Sequence, residues 1–282
     1  MTKISVLMPV YKTNEQFLRE AIESILNQTC KDFEFLILDD CPHDTREEIV
    51  KSYKDKRIKY SINEKNIGIS ASRNKLIEMA QGEYLAVFDH DDISYPERLE
   101  KEAKYLDENK DIGVVSSWIR TIPKMEISTQ PKSNNDIKIC LTNECCVMHS
   151  ASMIRKSILT DNNIKYEEEF SPAEDWALWC RLIDYTNFYN LPEVLLDYRW
   201  HKTNTSITQD AQMEKATIKL KALMKTDRYD LYQKYYLACT HSSKFLLFGR
   251  FTFLKIVQTD YYKKIYLFGL LLLKIKKSSK YE

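Results

Sequence analysis

Apolar residues recur along the first 120 positions in two alternating rhythms, and that alternation predicts the fold. Residues 4–10, Ile4-Ser5-Val6-Leu7-Met8-Pro9-Val10, form a short, mostly apolar run of the kind a buried strand makes. Phe17, Leu18, Ala21, Ile22, Ile25 and Leu26 follow at i, i+3, i+4 spacing, which predicts a helix with one buried face. The same alternation continues with a strand over 33–38 ending on Asp39-Asp40, a helix over 45–53 and a short strand over 57–62. A helix over 70–80 comes next, with Gly82 placed to terminate it, and then a strand over 84–88. Pro96 opens a charged helix to about residue 108, and Gly113-Val114-Val115 begins another strand. Strands separated by helices of this length imply an α/β fold, with a mostly parallel central sheet covered by helices on both faces.

Beyond residue 120 the pattern loosens. Residues 123–136 are polar and read as loop or an irregular strand pair, while 150–160 and 176–185 read as helices. From about residue 212 the chain reads as helical and increasingly basic. We therefore expect one domain over 1–210 and a helical, basic and aromatic extension over 211–282.

The predicted strand over 84–88 runs into Asp89-His90-Asp91-Asp92. Like charges this close repel and cannot all be desolvated unpaired, so a bound cation or a sugar-nucleotide held there would relieve a real cost. In open α/β sheets ligands bind beyond the carboxyl ends of the strands. Pro9-Val10-Tyr11, Asp39-Asp40 and the 89–92 cluster all fall at such ends, so three separate segments converge on one rim. The five glycines, Gly68, Gly82, Gly113, Gly249 and Gly269, exclude by their spacing both G-x-G-x-x-G and the Walker A loop, so a bound nucleotide would be held by something other than a glycine cradle.

Charge and cysteine usage narrow the picture further. A net charge of +1 over 282 residues argues against a dedicated nucleic-acid binder. It also conceals an asymmetry, because from Lys244 onward nine basic residues face only Asp260 and Glu282, so an acidic body carries a basic tail. The seven cysteines are odd in number and contain no C-x-x-C pair, which suggests neither a disulfide framework nor a zinc site and fits a reducing compartment. The chain opens Met1-Thr2-Lys3 with no apolar signal region, and its longest apolar run, 265–273, is far short of the roughly 20 residues of a membrane-spanning helix. A cytoplasmic location is expected, peripheral at the inner face of the cytoplasmic membrane.

Taken in order, these segments resemble the inverting glycosyltransferases of family 2, which have the GT-A fold. The resemblance is carried by residues 5–11 and by Ile22-Glu23-Ser24-Ile25-Leu26-Asn27-Gln28-Thr29. It continues through Phe33-Glu34, Leu38-Asp39-Asp40, Asn66-Ile67-Gly68, Ser72-Arg73-Asn74 and Gly82-Glu83-Tyr84-Leu85 into the Asp89–Asp92 cluster, and covers roughly residues 3–205. It implies a Rossmann-like GT-A domain, a UDP-sugar donor and a Mn²⁺ or Mg²⁺ cofactor.

The resemblance also implies roles for single residues. Asp39 would accept a hydrogen bond from the uracil imide, Pro9 and Tyr11 would shape the floor of the nucleoside pocket, and Asn66 and Arg73 would lie near the nucleotide. Asp89-His90-Asp91 matches the family's D-x-D motif, with Asp91 a direct metal ligand and Asp89 near the ribose or the metal. Oxygen donors suit a hard cation whose shell is completed by substrate phosphates. Asp40 would brace its loop, Asp92 would cap the following turn, and His90 would point away. Glu174-Asp175, before Trp176, resembles the acidic pair at a helix start, with Asp175 the general base and Glu174 orienting the acceptor or setting the base. Helix capping is the competing reading of that pair. Tyr198-Arg199-Trp200-His201 resembles a late Y-R-x-H segment in which His201 would ligate the metal or donate to the diphosphate, and the segment starting at His149 would line the acceptor side.

The reading that follows is transfer of a hexose (galactose, glucose or N-acetylglucosamine type) from a UDP-sugar to a hydroxyl of a bacterial surface glycan, such as lipooligosaccharide or capsule, free or lipid-linked. Aromatic and leucine residues interleaved with lysines over 245–273 suggest attraction to an anionic membrane surface. The competing classes are a non-catalytic nucleotide-sugar or glycan-binding module and a metal-dependent nucleotidyltransferase or phosphohydrolase.

Overall fold

Strand and helix alternate over the first 108 residues much as the apolar pattern predicts. The computed structural model describes residues 2–240, 243–248, 251–258, 262–267 and 270–276. Strand β1 (Ile4–Val10) leads to helix α1 (Glu15–Leu26), then β2 (Phe33–Asp39), α2 (Glu47–Ser52), β3 (Ile58–Ile62), α3 (Ile69–Met79) and β4 (Tyr84–Val87). Asn14 caps α1, its side chain accepting from the N–H groups of Gln16 and Phe17 at 2.9 and 3.3 Å. The helix buries Leu18, Ala21, Ile22 and Ile25 against the sheet, the face its spacing predicted.

These four strands lie in the order β3-β2-β1-β4, all mutually parallel. Every residue of β1, β2 and β4 is buried, which is why they read as continuous apolar runs and not as alternating ones. Strand order reverses between β1 and β4, and their pairing stops at the Leu7–Val87 register. Pro9, which has no N–H to give, therefore sits where β1 has parted from β4, at the mouth of the crevice that such a reversal opens.

After β4 come β5 (Ile93–Ser94), α4 (Arg98–Glu108), β6 (Ile112–Ile122), β7 (Glu126–Ser128) and α5 (Asn134–Leu141). They are followed by β8 (Ser152–Arg155), α6 (Lys156–Asp161), α7 (Glu174–Leu182) and β9 (Asn187–Arg199). The sheet extends as β4-β8-β6-β9-β5, with β7 on β6; β8 runs antiparallel to both of its neighbours, whereas β6 and β9 are parallel.

Two expectations change here. Residues 152–155 are strand where a helix over 150–160 was predicted, and helix begins only at Lys156. Met153 and Ile154 are buried between β4 and β6, and so short an apolar run carries no period of its own. Gly82 is not a left-handed helix terminator, because α3 ends at Met79 with Ala80 as its cap. A Cβ on Gly82 would lie 2.6 Å from the Ser5 backbone nitrogen, so the glycine permits a close approach to β1.

Two side chains of the resemblance are explained by the fold. The Gln28 side chain donates to Ser94 Oγ and the Tyr95 carbonyl and accepts from the Leu99 N–H, tying the end of α1 to the start of α4. Glu34 takes hydrogen bonds from Ser5 Oγ, Lys59 Nζ and the Gln81 N–H, each at 2.6 Å, locking the amino-terminal ends of the strands.

The chain divides into two units. The first holds residues 1–141 and 145–220, with the sheet of β1 to β9; the second holds 142–144 and 221–282. Three further helices follow β9: α8 (Thr205–Thr208), α9 (Asp210–Asp227) and α10 (Tyr229–Thr240). From Ser243 the expected helix is replaced by four antiparallel strands, β10 (Ser243–Phe248), β11 (Phe251–Gln258), β12 (Tyr262–Leu267) and β13 (Leu270–Lys276). Their lengths of six to eight residues match apolar segments separated by Gly249-Arg250, 259–261 and Phe268-Gly269, a punctuation that suits hairpins better than one long helix. The side chains on which the membrane-surface expectation rests lie outside the described residues. Among the described residues no helix is long and apolar enough to cross a membrane, and the six cysteines Cys30, Cys41, Cys140, Cys145, Cys146 and Cys180 are free thiols.

Candidate active site

The carboxyl ends of β1, β2 and β4 form one rim, and the acidic residues singled out from the sequence stand on it. Asp39, the last residue of β2, is fully buried. Its Oδ1 accepts from the Cys41 N–H at 3.0 Å, and its Oδ2 from the Arg46 N–H at 2.7 Å and the Tyr60 hydroxyl at 2.8 Å. Burial and the Asp39 charge push the Tyr60 phenol far up, so it stays neutral and donates. Three protein donors leave this carboxylate one acceptor direction, on Oδ1, without a protein partner.

Asp40 braces the next loop as expected. It accepts from Asn63 Nδ2 and the Ile67 N–H on Oδ1 and from the Gly68 N–H on Oδ2, and its carbonyl accepts from Asn66 Nδ2 at 3.2 Å. Gly68, at φ +84, supplies the turn into α3 that a side chain would strain. Tyr11 stands 46% exposed at the end of β1, with Lys12 Nζ 5.2 Å from its ring centroid.

Asp89 follows β4, and its Oδ1 accepts from Arg73 of α3 at 3.1 Å. The other terminal nitrogen of the same guanidinium donates to Glu174 Oε1 at the start of α7. Arg73 is 8% exposed and Glu174 4%, so these two form a buried ion pair to which the partly exposed Asp89 is joined; removing either buried partner leaves an uncompensated charge costing about 3–5 kcal/mol. Burial pulls the Arg73 guanidinium down, but Asp89 and Glu174 outweigh it and leave it raised.

Asp175 is partly buried, and its Oδ1 accepts from its neighbour, the Trp176 N–H, at 2.7 Å. Burial first, then the Glu174 charge, push its carboxyl up to about 6, while Arg73 opposes them. A carboxylate poised near neutral pH at a helix start is suited to take a proton. Behind this group His149 Nε2 lies 2.8 Å from the Tyr166 hydroxyl. Burial, with Arg73 adding to it, drives the His149 imidazolium down to about 3, so the ring is neutral and plays a packing and hydrogen-bonding part.

Asp91 and His201 meet across 110 residues of sequence, with Oδ2 and Nε2 2.8 Å apart; Nδ1 of His201 lies 2.8 Å from Thr203 Oγ1. A carboxylate and an imidazole in this pairing fit a divalent cation held by one or two protein donors together with diphosphate oxygens. Among the described residues no group of three or more His, Cys, Asp or Glu side chains is disposed to hold a metal. Asp89 is turned toward Arg73.

Asp92 does not cap the turn. It is fully buried and accepts the Arg199 N–H of β9 at 2.9 Å, while Arg199 Nε donates to the Asp91 carbonyl at 2.7 Å. Burial, with Asp91 and Asp89 adding to it, pushes the Asp92 carboxyl well above the usual range.

The structure thus brings Arg73, Asp89, Glu174 and Asp175 together, and separately Asp91 with His201. Beside the rim a cavity of about 930 Å³ opens among residues 12–15, Phe17, 45–49 and 201–203; of the candidate site residues only His201 lines it. Sequence reasoning missed Arg98 and Glu102, both fully buried in α4. Arg98 donates to Ser94 Oγ and to the Val87 and Ser150 carbonyls, pinning the backbone on either side of the acidic cluster. The i, i+4 spacing was visible, but charged residues on a helix ordinarily face solvent.

Comparison with known proteins identifies the family and the fold. Residues 5–161 match the family model described as glycosyl transferase family 2. An uncharacterized glycosyltransferase of Methanocaldococcus jannaschii is 41% identical over 206 residues, covering 70% of each chain. The O-antigen biosynthesis glycosyltransferase WbnJ of Escherichia coli is 31% identical over 232 residues, covering 79% of this chain and 89% of that one. Among solved structures, S. aureus TarS 1–349 in complex with UDP-GlcNAc superposes with a TM-score of 0.61 at 24% identity, over 72% of this chain and 60% of that one. The mannosyltransferase PcManGT of Pyrobaculum calidifontis, in complex with GDP-Man and Mn²⁺, gives 0.61 at 14% identity over 84% and 70%. At those identities the structural likeness shows the fold, which is GT-A.

Proposed function

The chain belongs to glycosyl transferase family 2, and from that premise we propose that it moves a hexose from a UDP-sugar, with inversion, to a hydroxyl of a bacterial surface glycan. The observation that carries this reading is Asp175, a carboxylate raised to about 6 and set beside Glu174, which Arg73 joins to the Asp89 of the D-x-D motif. Asp175 accepts the proton of the acceptor hydroxyl as that oxygen attacks the anomeric carbon, and the nucleoside diphosphate departs from the opposite face. One carboxylate base suffices for a single displacement, whereas hydrolases need an acid besides their base or nucleophile.

Tyr11 and Pro9 border the nucleoside, Asp39 offers its remaining acceptor direction to the uracil imide, and Asn66 holds the adjoining loop. Asp91 and His201 would hold Mn²⁺ or Mg²⁺, which when bound supplies charge to stabilise the departing diphosphate. The WbnJ relationship supports an acceptor of the surface-glycan class, and the UDP-GlcNAc complex of TarS supports a UDP donor. The basic tail would bring the enzyme to the inner membrane face, where lipid-linked acceptors reside.

The test is calorimetric titration of the purified chain with a panel of UDP- and GDP-sugars, with Mn²⁺ and with EDTA. Saturable, EDTA-sensitive binding of a UDP-hexose, with nucleoside diphosphate released on addition of acceptor, is the expected outcome. Release of pyrophosphate or monophosphate would replace this reading with nucleotidyl transfer or hydrolysis.

A further inference from the structure

Arg73 reaches both acidic segments of the site. From α3 its guanidinium donates to Asp89 Oδ1, sixteen positions along the chain, and to Glu174 Oε1, 101 positions along. We propose that Arg73 is a positioning residue for transfer: it clamps the first turn of α7 to the end of β4, so that the base Asp175 is held in register with the donor-side aspartates, and it does this in place of a direct contact with the nucleotide. The inference rests on the transfer reaction proposed above with Asp175 as its base.

Three observations carry it. Both terminal nitrogens of Arg73 are engaged by carboxylates, its Nε is buried without a partner, and only 8% of the residue is exposed. That leaves little of the guanidinium to offer a phosphate or a base. Next, Arg73 lies 5.5 Å from the Tyr166 ring centroid, and its neighbour Asn74 exchanges two hydrogen bonds with the Tyr166 backbone, each at 2.9 Å. Consecutive residues of α3 therefore fix both the segment leading into α7 and the first residue of α7 itself. Last, the groups that face Asp175 are Glu174 from its own helix, Arg73 from α3, Asp89 after β4, and Tyr166 and Cys145 from adjoining segments. Among them Arg73 is the cation, and together with the Trp176 N–H it favours the ionised base against burial and the Glu174 charge.

The contact geometry of Arg suits this work and that of Lys does not. A guanidinium presents donors in a planar fork and spans two carboxylates at once, whereas an ammonium is a point charge on a flexible stem. Arg73→Lys should therefore keep part of the electrostatic effect and lose the register.

The experiment follows the Asp175 carboxyl by ¹³C NMR titration in the full chain, alongside kcat, donor Kd by calorimetry, and thermal melting. In Arg73→Gln the Asp175 titration should move up by about one pH unit. Turnover should fall about 100-fold with donor Kd within about threefold of the parent chain, because the loss is of register and not of donor contacts. Arg73→Lys should restore most of the titration but not the turnover. Glu174→Gln removes the charge of the same bridge from its other end with a neutral isostere, so the Arg73→Gln/Glu174→Gln double variant should be no slower than the worse single one.

Donor Kd weakened more than about tenfold in Arg73→Gln, with the Asp175 titration and kcat unmoved, would overturn the clamp and return Arg73 to the nucleotide. So would additive losses in the double variant. Full transfer by Asp175→Asn would instead remove the base reading itself, an outcome separable from the clamp because the parent Asp175 titration is read without turnover.

Discussion

Asp175 and Glu174 are adjacent carboxylates in unequal surroundings, one raised by burial and proposed as the base, the other engaged by Arg73. The Asp175 carboxyl sits at about 6, above its ordinary range, and only the ionised form accepts a proton. Activity should therefore rise with pH through about 6 and fall about tenfold per unit below it, a limb read from kcat/KM between pH 4.5 and 8. An acidic limb displaced to near 4 would assign the base elsewhere. A second prediction concerns Thr203, whose hydroxyl lies 2.8 Å from Nδ1 of His201. Thr203→Val removes that hydrogen bond from the ring of the proposed metal ligand, so Mn²⁺ affinity measured with UDP present should drop about 10-fold, and unchanged affinity would deny Thr203 a part in orienting His201. At this scale the sequence revealed the acidic residues because clustered charge is costly without a ligand or counter-ion. It did not reveal Arg98 and Glu102, since nothing in the residue types distinguishes a charge buried in α4 from one in solvent.

Helix α4 carries that hidden pair, and it makes stability depend on pH. Arg98 and Glu102 lie 4.0 Å apart with both Glu102 oxygens unpartnered, and burial, only partly offset by Arg98, pushes the Glu102 carboxyl up to about 8. Its folded value exceeds its unfolded value, so the folded chain holds a proton that the unfolded chain releases. The stability present below about 4.5 is thus lost progressively as pH rises to about 8. Glu102→Gln abolishes that loss. It should leave melting nearly unchanged at pH 4.5 and raise it by about 4 °C at pH 8, equivalent to roughly 2 kcal/mol. A gain equal at both pH values would contradict the assignment. Gly82 gives the opposite result: a Cβ 2.6 Å from the Ser5 backbone must displace β1 from the end of α3, so Gly82→Ala should destabilise by about 1–3 kcal/mol in urea unfolding.

The same comparison shows which elements a sequence discloses. Strands β1, β2 and β4 are buried on both faces and read as unbroken apolar runs, whereas β9 contains Pro192-Glu193, both exposed. There the register with β6 shifts, Ser117 pairing with Leu191 and Trp118 with Val194, so the two residues are bulged out of the ladder. A proline and a charge inside a strand read as loop until its partner is known. The strands of the tail escaped for another reason, since the periodicity of short apolar segments rich in lysine does not separate helix from strand and only the breaks between them point to hairpins.

At the scale of the whole molecule, every residue assigned to donor, metal or base lies between Pro9 and Thr203, inside the first unit, as does the core cluster that supports them. The excess positive charge lies elsewhere, beyond Lys244, where nine basic residues oppose two acidic ones. The proposed catalysis and the proposed surface attraction thus fall on separate stretches of chain, and a truncation separates them experimentally. A chain ending at residue 228 should bind its UDP-sugar within about threefold of the full chain, because no donor contact has been removed. The full chain should sediment with vesicles containing anionic lipid, since each lysine near such a surface contributes about 1 kcal/mol. It should be released at about 0.5 M salt, where screening shortens the reach of those charges to a few ångströms. The shortened chain should remain in the supernatant with the same vesicles. Equal sedimentation of both chains, or equal sedimentation of the full chain with neutral vesicles, would deny the tail this part. Loss of donor binding on truncation would show instead that residues after 228 complete the site, and the division of labour argued from charge would have to be abandoned.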